Sequence, residues 1–268
     1  GRGGNDTLIY TGGADHLNGG AGTDTADFND FGSAVWVDLS YAGREPVFTR
    51  ETGDLESGNW RALASVTGIE NVAGSAYDDE LHGDAGRNRL AGRDGDDTFV
   101  YGSGLDTLVG NGGSDTVDFS DLGSAVWAQL GYTGTYQAFT RGGSDLSAGA
   151  WQALAQIESS ENLVGTGFDD ELGGSGDDNR ITAGAGNDSL GYTGGTDILD
   201  GGTGTDTAHF DDFGSAVWVH MDYVGVHEAL TRDSTDLTSG SWRSAADLVD
   251  IEHLSGSAYD DELRGDAG

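Results

Sequence analysis

Apolar side chains recur along this chain every nine residues, in segments only a few residues long. Read from Gly74 in steps of nine, the eighth position of five consecutive segments is apolar: Leu81, Leu90, Phe99, Leu108 and Val117. Short segments with one apolar residue between polar neighbours are typical of brief β-strands. The Gly-rich stretches between them are typical of tight turns with positive φ. The pattern therefore predicts an all-β chain of very short strands and turns.

A longer period of 91 residues is superimposed on this pattern. The run Phe31–Trp36 returns as Leu122–Trp127 and again as Phe213–Trp218, with no insertion or deletion between the copies. An unbroken period indicates that each copy stacks on the next. The sequence thus predicts a solenoid, in which the copies act collectively.

Each 91-residue unit divides into a block of five nonapeptides and an insert of 46 residues. The predicted segments are a partial block at 1–27, inserts at 28–73, 119–164 and 210–255, complete blocks at 74–118 and 165–209, and the start of another block at 256–268. Because the chain opens inside a block, we expect it to be a piece of a longer protein.

The sixth position of the nonapeptide holds an oxygen-bearing side chain throughout. These candidate metal ligands are Asp6, Asp15, Asp24, Asp79, Asn88, Asp97, Asp106, Asp115, Asp170, Asn179, Asp188, Asp197, Asp206 and Asp261. Positive-φ glycines turn backbone carbonyls toward one place, and Ca²⁺ prefers six to eight hard oxygen ligands. The alternative is a set of Gly/Asp turns without metal. Turn chemistry alone does not require Asp every nine residues, which favours calcium.

The register matches the pattern Gly-Gly-x-Gly-x-Asp-x-apolar-x of calcium-binding parallel β-helices. Segments beginning at Gly1, Gly92 and Gly201 follow it most closely. The chain resembles the RTX (repeats-in-toxin) family of secreted bacterial proteins. That resemblance implies a parallel β-roll in which two nonapeptides complete one coil and calcium lies between turns stacked one coil apart. It also implies export by a type I system and folding on external Ca²⁺.

By this resemblance, two edges of the roll differ in quality. Full acidic pairs are Asp6 with Asp24, Asp79 with Asp97, Asp97 with Asp115, Asp170 with Asp188, and Asp188 with Asp206. The other edge pairs Asn88 with Asp106 and Asn179 with Asp197, and its alternate turns begin with Tyr10, Tyr101 or Tyr192. We expect these sites to be weaker or empty. Whether the acidic edge changes side between units depends on the number of half-coils in the insert.

Charge narrows the choice of partner. The formal net charge is −35, with 47 acidic residues, 12 arginines and no lysine. Phosphate binding needs a basic footprint, so nucleic acid is excluded as an expected partner. Seven calcium ions would reduce the charge to about −21 and relieve self-repulsion. No apolar run reaches the roughly 18 residues of a membrane span, and the absence of cysteine excludes disulfides.

The insert combines a strand-like start with bulky aromatic residues. Residues 34–41 alternate apolar and polar, and a short helix is predicted at 57–64, with Ser57 as its cap. Three tryptophan pairs, Trp36 with Trp60 and their equivalents, are interpreted chiefly as a small core and alternatively as a glycan-stacking row. Arg50, Arg141 and Arg232 are expected to pair with a carboxylate or to stack on Trp.

No catalytic motif stands out against the repeat. None of the six histidines has a counterpart in all three copies, and the carboxylate pairs recur at calcium spacing. The predicted function is a calcium-folded structural segment of a long secreted or surface-attached bacterial protein, acting as rod, filament or adhesin stalk. The alternative is an export and folding module of a secreted enzyme, such as a serralysin-type protease or a mannuronan epimerase. Further partners considered are copies of itself, joined end to end, and surface polysaccharide.

Overall fold

The computed structural model describes residues 1–41, 47–50, 53–222 and 228–265. Within these ranges the regular structure consists of β-strands only, so no helix there could cross a membrane. The strands are β1 Thr7–Ile9, β2 Asp15–Asn18, β3 Thr25–Asp27, β4 Trp36–Asp38, β5 Val47–Thr49, β6 Arg61–Thr67, β7 Asn71–Ala73, β8 Glu80–His82, β9 Arg89–Asp94, β10 Thr98–Val100, β11 Asp106–Gly112, β12 Thr116–Asp118, β13 Val126–Gln129, β14 Ala138–Thr140, β15 Gln152–Glu158, β16 Asn162–Val164, β17 Glu171–Gly173, β18 Arg180–Thr182, β19 Ala185–Gly186, β20 Ser189–Gly191, β21 Asp197–Asp200, β22 Thr203–Gly204, β23 Thr207–His209, β24 Val217–His220, β25 Ala229–Thr231, β26 Arg243–Val249, β27 His253–Ser255 and β28 Glu262–Arg264. The predicted all-β class is confirmed.

The chain forms two compact units, the first being Gly1–Asp121 with Leu154–Ser160. Its strands lie in two sheets, in the orders β1-β3-β7-β9-β11-β15 and β2-β6-β5-β4-β8-β10-β12. Successive nonapeptides alternate between the sheets, so neighbouring strands within a sheet come from every second nonapeptide. Thr7 lies opposite Thr25 and Thr98 opposite Thr116, both in parallel pairs. Two nonapeptides therefore complete one coil of a parallel β-roll.

The second unit, Leu122–Ala153 with Glu161–Gly268, repeats this construction. Its sheets run β14-β13-β17-β20-β23-β27 and β16-β18-β21-β26-β25-β24-β28, beside the small pair β19-β22. Glu171 lies opposite Ser189, and Ser189 lies opposite Thr207, so each pair is again separated by two nonapeptides. Both units thus use the nonapeptide as a half-coil.

The core of each roll is built from the position-eight side chains. In the complete blocks these are Leu81, Leu90, Phe99, Leu108, Val117, Leu172, Ile181, Leu190, Leu199 and Ala208, all almost fully buried. Tyr10, Tyr101 and Tyr192 replace glycine at the start of three turns and are also buried. Their rings contact Phe28, Phe119 and Phe210 at centroid distances of 5.3–5.5 Å. Burial of one apolar side chain per nine residues stabilises each coil against its neighbours.

The insert continues the roll and widens one sheet. In the first unit, β4, β5 and β6 form an antiparallel meander within one sheet, after which β7 returns to the other sheet. The helix predicted at 57–64 is wrong, because Arg61–Thr67 forms β6. This strand pairs with β5 on one side and with β2 on the other. Hydrogen bonds to two neighbouring strands outweigh the weak local preference for helix.

The interpretation of the insert tryptophans as core is wrong for half of them. Trp60, Trp151 and Trp242 are 45–49% exposed. Each instead carries an arginine guanidinium over its ring at 4.4–4.5 Å, from Arg50, Arg141 and Arg232 respectively. Such cation–π stacking was one of the two expected roles of these arginines. The other tryptophan of the first insert, Trp36, is half-buried and packs edge-on against Phe48.

Candidate calcium sites

Position-six aspartates form a ladder of hydrogen bonds along each roll, in which a backbone amide donates to the carboxylate of the next coil. The amide of Asp6 donates to Asp24 Oδ1 at 2.7 Å, 18 residues ahead, so each carboxylate reaches back toward the preceding coil. The same bond joins Asp79 to Asp97, Asp97 to Asp115, Asp170 to Asp188 and Asp188 to Asp206, at 2.7–2.9 Å. The structure thus brings together every full acidic pair that the sequence predicted.

Position-five side chains form a second ladder that runs in the opposite direction. The amide of Asp96 donates to Asp78 Oδ1 at 2.9 Å, and the amide of Ser114 donates to Asp96 Oδ1 at 2.8 Å. Asp169 and Asn187 do the same in the second unit. The sequence pattern, which marks position five only as variable, did not reveal this role. The turns that carry these residues are therefore held by two opposed hydrogen bonds from backbone amides to side chains.

Several position-six carboxylates keep one buried oxygen without a partner. Those with an unpaired Oδ2 include Asp6, Asp24, Asp97, Asp188, Asp197 and Asp206. Asp24, Asp97 and Asp206 are at most 1% exposed as residues. A buried anionic oxygen without a partner is costly, and a bound cation removes that cost. This is the chemical state expected of a calcium ligand.

Backbone carbonyl oxygens lie beside the unpaired carboxylate oxygens. A Cβ atom added at Gly1 would collide with both Asp6 Oδ2 and the carbonyl oxygen of Gly19. At Gly201 the corresponding atoms are the Asp250 carbonyl oxygen and Asp206 Oδ2. Glycine at position one therefore leaves open a small space lined by oxygen. That space would be filled by any other residue.

The donor set fits Ca²⁺. Among the described residues, no three acidic or imidazole side chains gather at one point, so side chains alone do not form a metal cage there. Carboxylate and carbonyl oxygens together are hard donors of the kind that calcium prefers. A tetrahedral zinc site, by contrast, relies largely on Cys and His. The fourteen position-six ligands stay predictions of the sequence.

Burial raises the pKa of three position-six carboxyl groups, those of Asp97, Asp188 and Asp206. It raises the pKa of Asp97 to about 9, although a hydrogen bond from the Asp79 amide opposes the shift. The pKa of Asp188 is raised to about 7 and that of Asp206 is raised as well, with burial again the main cause. Removal from water disfavours the charged form, and a nearby cation restores it. These groups therefore need either a proton or a metal ion in the folded roll.

The first aspartate of each block is already satisfied by the chain itself. Asp79 accepts bonds from the Val35 amide, the Ser75 amide and the Ser75 hydroxyl. Thr166 donates to the Asp170 carboxylate, and Ser257 to that of Asp261, each through its backbone amide and its hydroxyl group. Burial still raises the pKa of Asp79 to about 7. These three aspartates cap turns. The stronger candidates for metal binding are Asp97 and Asp188, which lie one coil ahead of Asp79 and Asp170 and keep an unpaired Oδ2.

The asparagine positions close their turns without an ion. Asn88 Nδ2 donates to the Glu70 carbonyl oxygen at 2.8 Å, while its Oδ1 accepts from the Asp84 amide. Asn179 repeats both bonds with the Glu161 carbonyl oxygen and the Ser175 amide. The amide group thus supplies the donor that a carboxylate lacks. This geometry supports the prediction that these sites are weak or empty.

The remaining members of the weaker edge are placed differently from one another. Asp106 and Asp197 are buried and accept from the amides of Asn88 and Asn179 at 2.9 and 3.0 Å. Burial raises the pKa of Asp106 to about 6 and that of Asp197 to about 7. Asp15 is exposed at the start of β2, opposite Ala64. It is not brought to a second predicted ligand.

The acidic edge changes side within each unit. Asp24 precedes β3 in one sheet of the first unit, whereas Asp97 precedes β10 in the other sheet. In the second unit, Asp188 and Asp261 likewise precede strands of different sheets. The insert adds two half-coils, the meander and one further strand, to the five nonapeptides. The number of half-coils per 91-residue repeat is therefore odd, and this is why the acidic turns of successive blocks lie on different sheets.

A parallel β-roll whose acidic turns stack one coil apart defines a calcium-binding repeat protein. The profile described as the RTX calcium-binding nonapeptide repeat (4 copies) matches residues 1–30, 66–99, 73–108, 102–121, 158–190, 193–209 and 250–268. These matches cover more than half of the sequence, and the chain belongs to this RTX family. RTX repeats are characteristic of secreted bacterial proteins. No curated protein matches the chain.

Proposed function

We propose that this chain is a calcium-folded structural segment of a long secreted or cell-surface bacterial protein, serving as a rod, filament or adhesin stalk. The observation that carries the proposal is the set of buried, unpaired Asp Oδ2 oxygens that recur on stacked turns. Such oxygens oppose folding until a cation reaches them. The unbroken 91-residue period supports an extended structural role.

A catalytic role forms no part of this proposal. The acidic pairs bond to backbone amides of the neighbouring coil, as in Asp97 with Asp115. Their carboxylates are thus committed to hydrogen bonds within the turns. Reading the gene on both sides of this segment would test the assignment. Many further 91-residue units would support a stalk, whereas an adjoining catalytic domain would identify an accessory module instead.

Calcium dependence of folding is the direct test. Metal that binds only the folded state stabilises it by mass action, and the charge of −35 favours expansion without metal. We expect circular dichroism to show little structure in chelator and a strong β-signal after millimolar Ca²⁺ is added. Magnesium at equal concentration is the control for simple charge screening. Identical spectra in chelator and in Ca²⁺ would refute the proposal.

A further inference from the structure

We propose that Glu70 and Glu252 complete two additional calcium sites, each formed between the last aspartate of a block and the end of the following insert. The inference rests on the proposed calcium-binding function. It extends that function to a pairing across the whole insert, Asp24 with Glu70 and Asp206 with Glu252, in place of the usual pairing across two nonapeptides.

Register places these glutamates at position six. In the β3–β7 pair Thr25 lies opposite Asn71, so the residues before them, Asp24 and Glu70, face each other across adjacent coils. The Asp24 amide donates to Glu70 Oε2 at 2.8 Å, as the Asp6 amide does to Asp24 Oδ1. The glutamate carboxylate therefore takes the place that an aspartate has in the regular ladder.

The second unit shows the same arrangement. Thr207 lies opposite His253 in the β23–β27 pair, which sets Asp206 against Glu252. The Asp206 amide donates to Glu252 Oε2 at 2.8 Å. Two copies with the same bond length and the same spacing show that the glutamate position is a property of the repeat.

A shorter turn explains why glutamate replaces aspartate. A regular turn has six residues, from position one to position six, whereas the insert turns contain only three, at 68–70 and 250–252. Gly68 and Asp250 begin them in the left-handed region, at φ of 57° and 48°. The extra methylene of glutamate lets its carboxylate span the distance that the shortened backbone leaves.

Each pair encloses an oxygen that has no protein partner. Asp24 and Asp206 are 0% exposed, and their Oδ2 atoms are unpaired. A Cβ atom at Gly19 would collide with Asp24 Oδ2 and the Gly68 carbonyl oxygen, and Gly201 has the same relation to Asp206 and Asp250. Two carboxylates and a carbonyl around a buried space are hard donors suited to Ca²⁺.

The test is to count bound ions by native mass spectrometry of the full chain at limiting free Ca²⁺. Glu70→Gln and Glu252→Gln keep an oxygen that accepts the Asp24 or Asp206 amide but remove the negative charge. We expect each variant to bind one ion fewer than the wild type and the double variant two fewer. Glu158→Gln, exposed at the end of β15, is the control and should bind the wild-type number.

The outcomes separate the two proposals. Wild-type ion counts in both variants, with normal calcium binding in the parent chain, would overturn the glutamate sites and leave the proposed function intact. A parent chain that binds no calcium would overturn both. Circular dichroism at saturating Ca²⁺ checks folding, and if one variant fails to fold, the other insert supplies an independent answer.

Discussion

Asp97 shows how one side chain links folding to metal binding. Its Oδ1 accepts the Asp79 amide at 2.8 Å, while its Oδ2 is buried without a partner. The hydrogen bond to Oδ1 fixes the spacing between the coils. The unpaired Oδ2 is stabilised only when a cation binds or the carboxyl group is protonated. Asn88, by contrast, donates from its side-chain amide to the Glu70 carbonyl oxygen and needs no cation. The difference of one side-chain atom thus separates a calcium-requiring turn from a self-sufficient one.

The pH dependence of the metal-free fold follows from these carboxyl groups. Their unfolded pKa is about 3.9, whereas burial raises the pKa of Asp97 to about 9 and that of Asp188 to about 7. The folded state therefore loses stability as pH rises from about 4 toward 9, because it must bury charge. In calcium-free buffer, we therefore expect the β-signal in circular dichroism to be strongest near pH 4 and to be lost as the pH rises.

Calcium should reverse that trend, since it binds the deprotonated groups and its affinity rises with pH. Asp97→Asn is the matched variant, and its calcium-free β-signal should fall less as the pH rises from about 4. A metal-free fold that becomes more stable with rising pH would contradict the assigned burial of these carboxylates.

Glycine at the turn corner is required for close coil stacking. Gly113 has φ of 139°, and an added Cβ would collide with the Gly95 carbonyl oxygen of the preceding coil. Gly113→Ala is expected to lower the free energy of unfolding by roughly 1–3 kcal/mol in saturating Ca²⁺, measured by urea denaturation. Gly102→Ala meets no atom within 4 Å and is the control. Equal stability of the two variants would show that the turn adapts.

At the scale of the elements, the nonapeptide half-coils followed from sequence, whereas the strand Arg61–Thr67 within the insert did not. Position eight, as in Leu81 and Phe99, has one role in every coil and recurs often enough to be recognised. Residues 57–64 lack that repetition, and their strand forms because β2 and β5 supply hydrogen-bonding partners distant in sequence. Glu70 was missed for the same reason, since its pairing with Asp24 is visible only once β3 and β7 are paired.

The meander is stabilised at its outer face by stacked arginine. Arg50 lies 4.5 Å from the Trp60 ring and donates to the Glu56 carbonyl oxygen at 2.8 Å. Loss of an exposed cation–π contact and one such hydrogen bond should cost about 1–2 kcal/mol. Arg50→Ala is therefore expected to lower the denaturation midpoint in saturating Ca²⁺ without changing the number of bound ions. Arg2→Ala is the charge-matched control, and a lost ion in Arg50→Ala would contradict a purely structural role.

At the scale of the whole molecule, charge and topology act together. The excess of acidic residues makes folding of the chain dependent on cations, and the roll places many of their carboxylates at regularly spaced turns. Because each 91-residue repeat contains an odd number of half-coils, the acidic turns of successive blocks lie on different sheets within each compact unit. Neither property depends on any single residue, so both belong to the repeat.

Anomalous X-ray diffraction from crystals grown with Ca²⁺ tests the central claim most directly. The account predicts peaks beside the unpaired Oδ2 atoms of Asp6, Asp97 and Asp188, on turns that change sheet within a unit. It predicts no peaks beside the amide groups of Asn88 and Asn179. Empty aspartate turns in a folded, calcium-saturated chain, or ions seated at the asparagines, would contradict it.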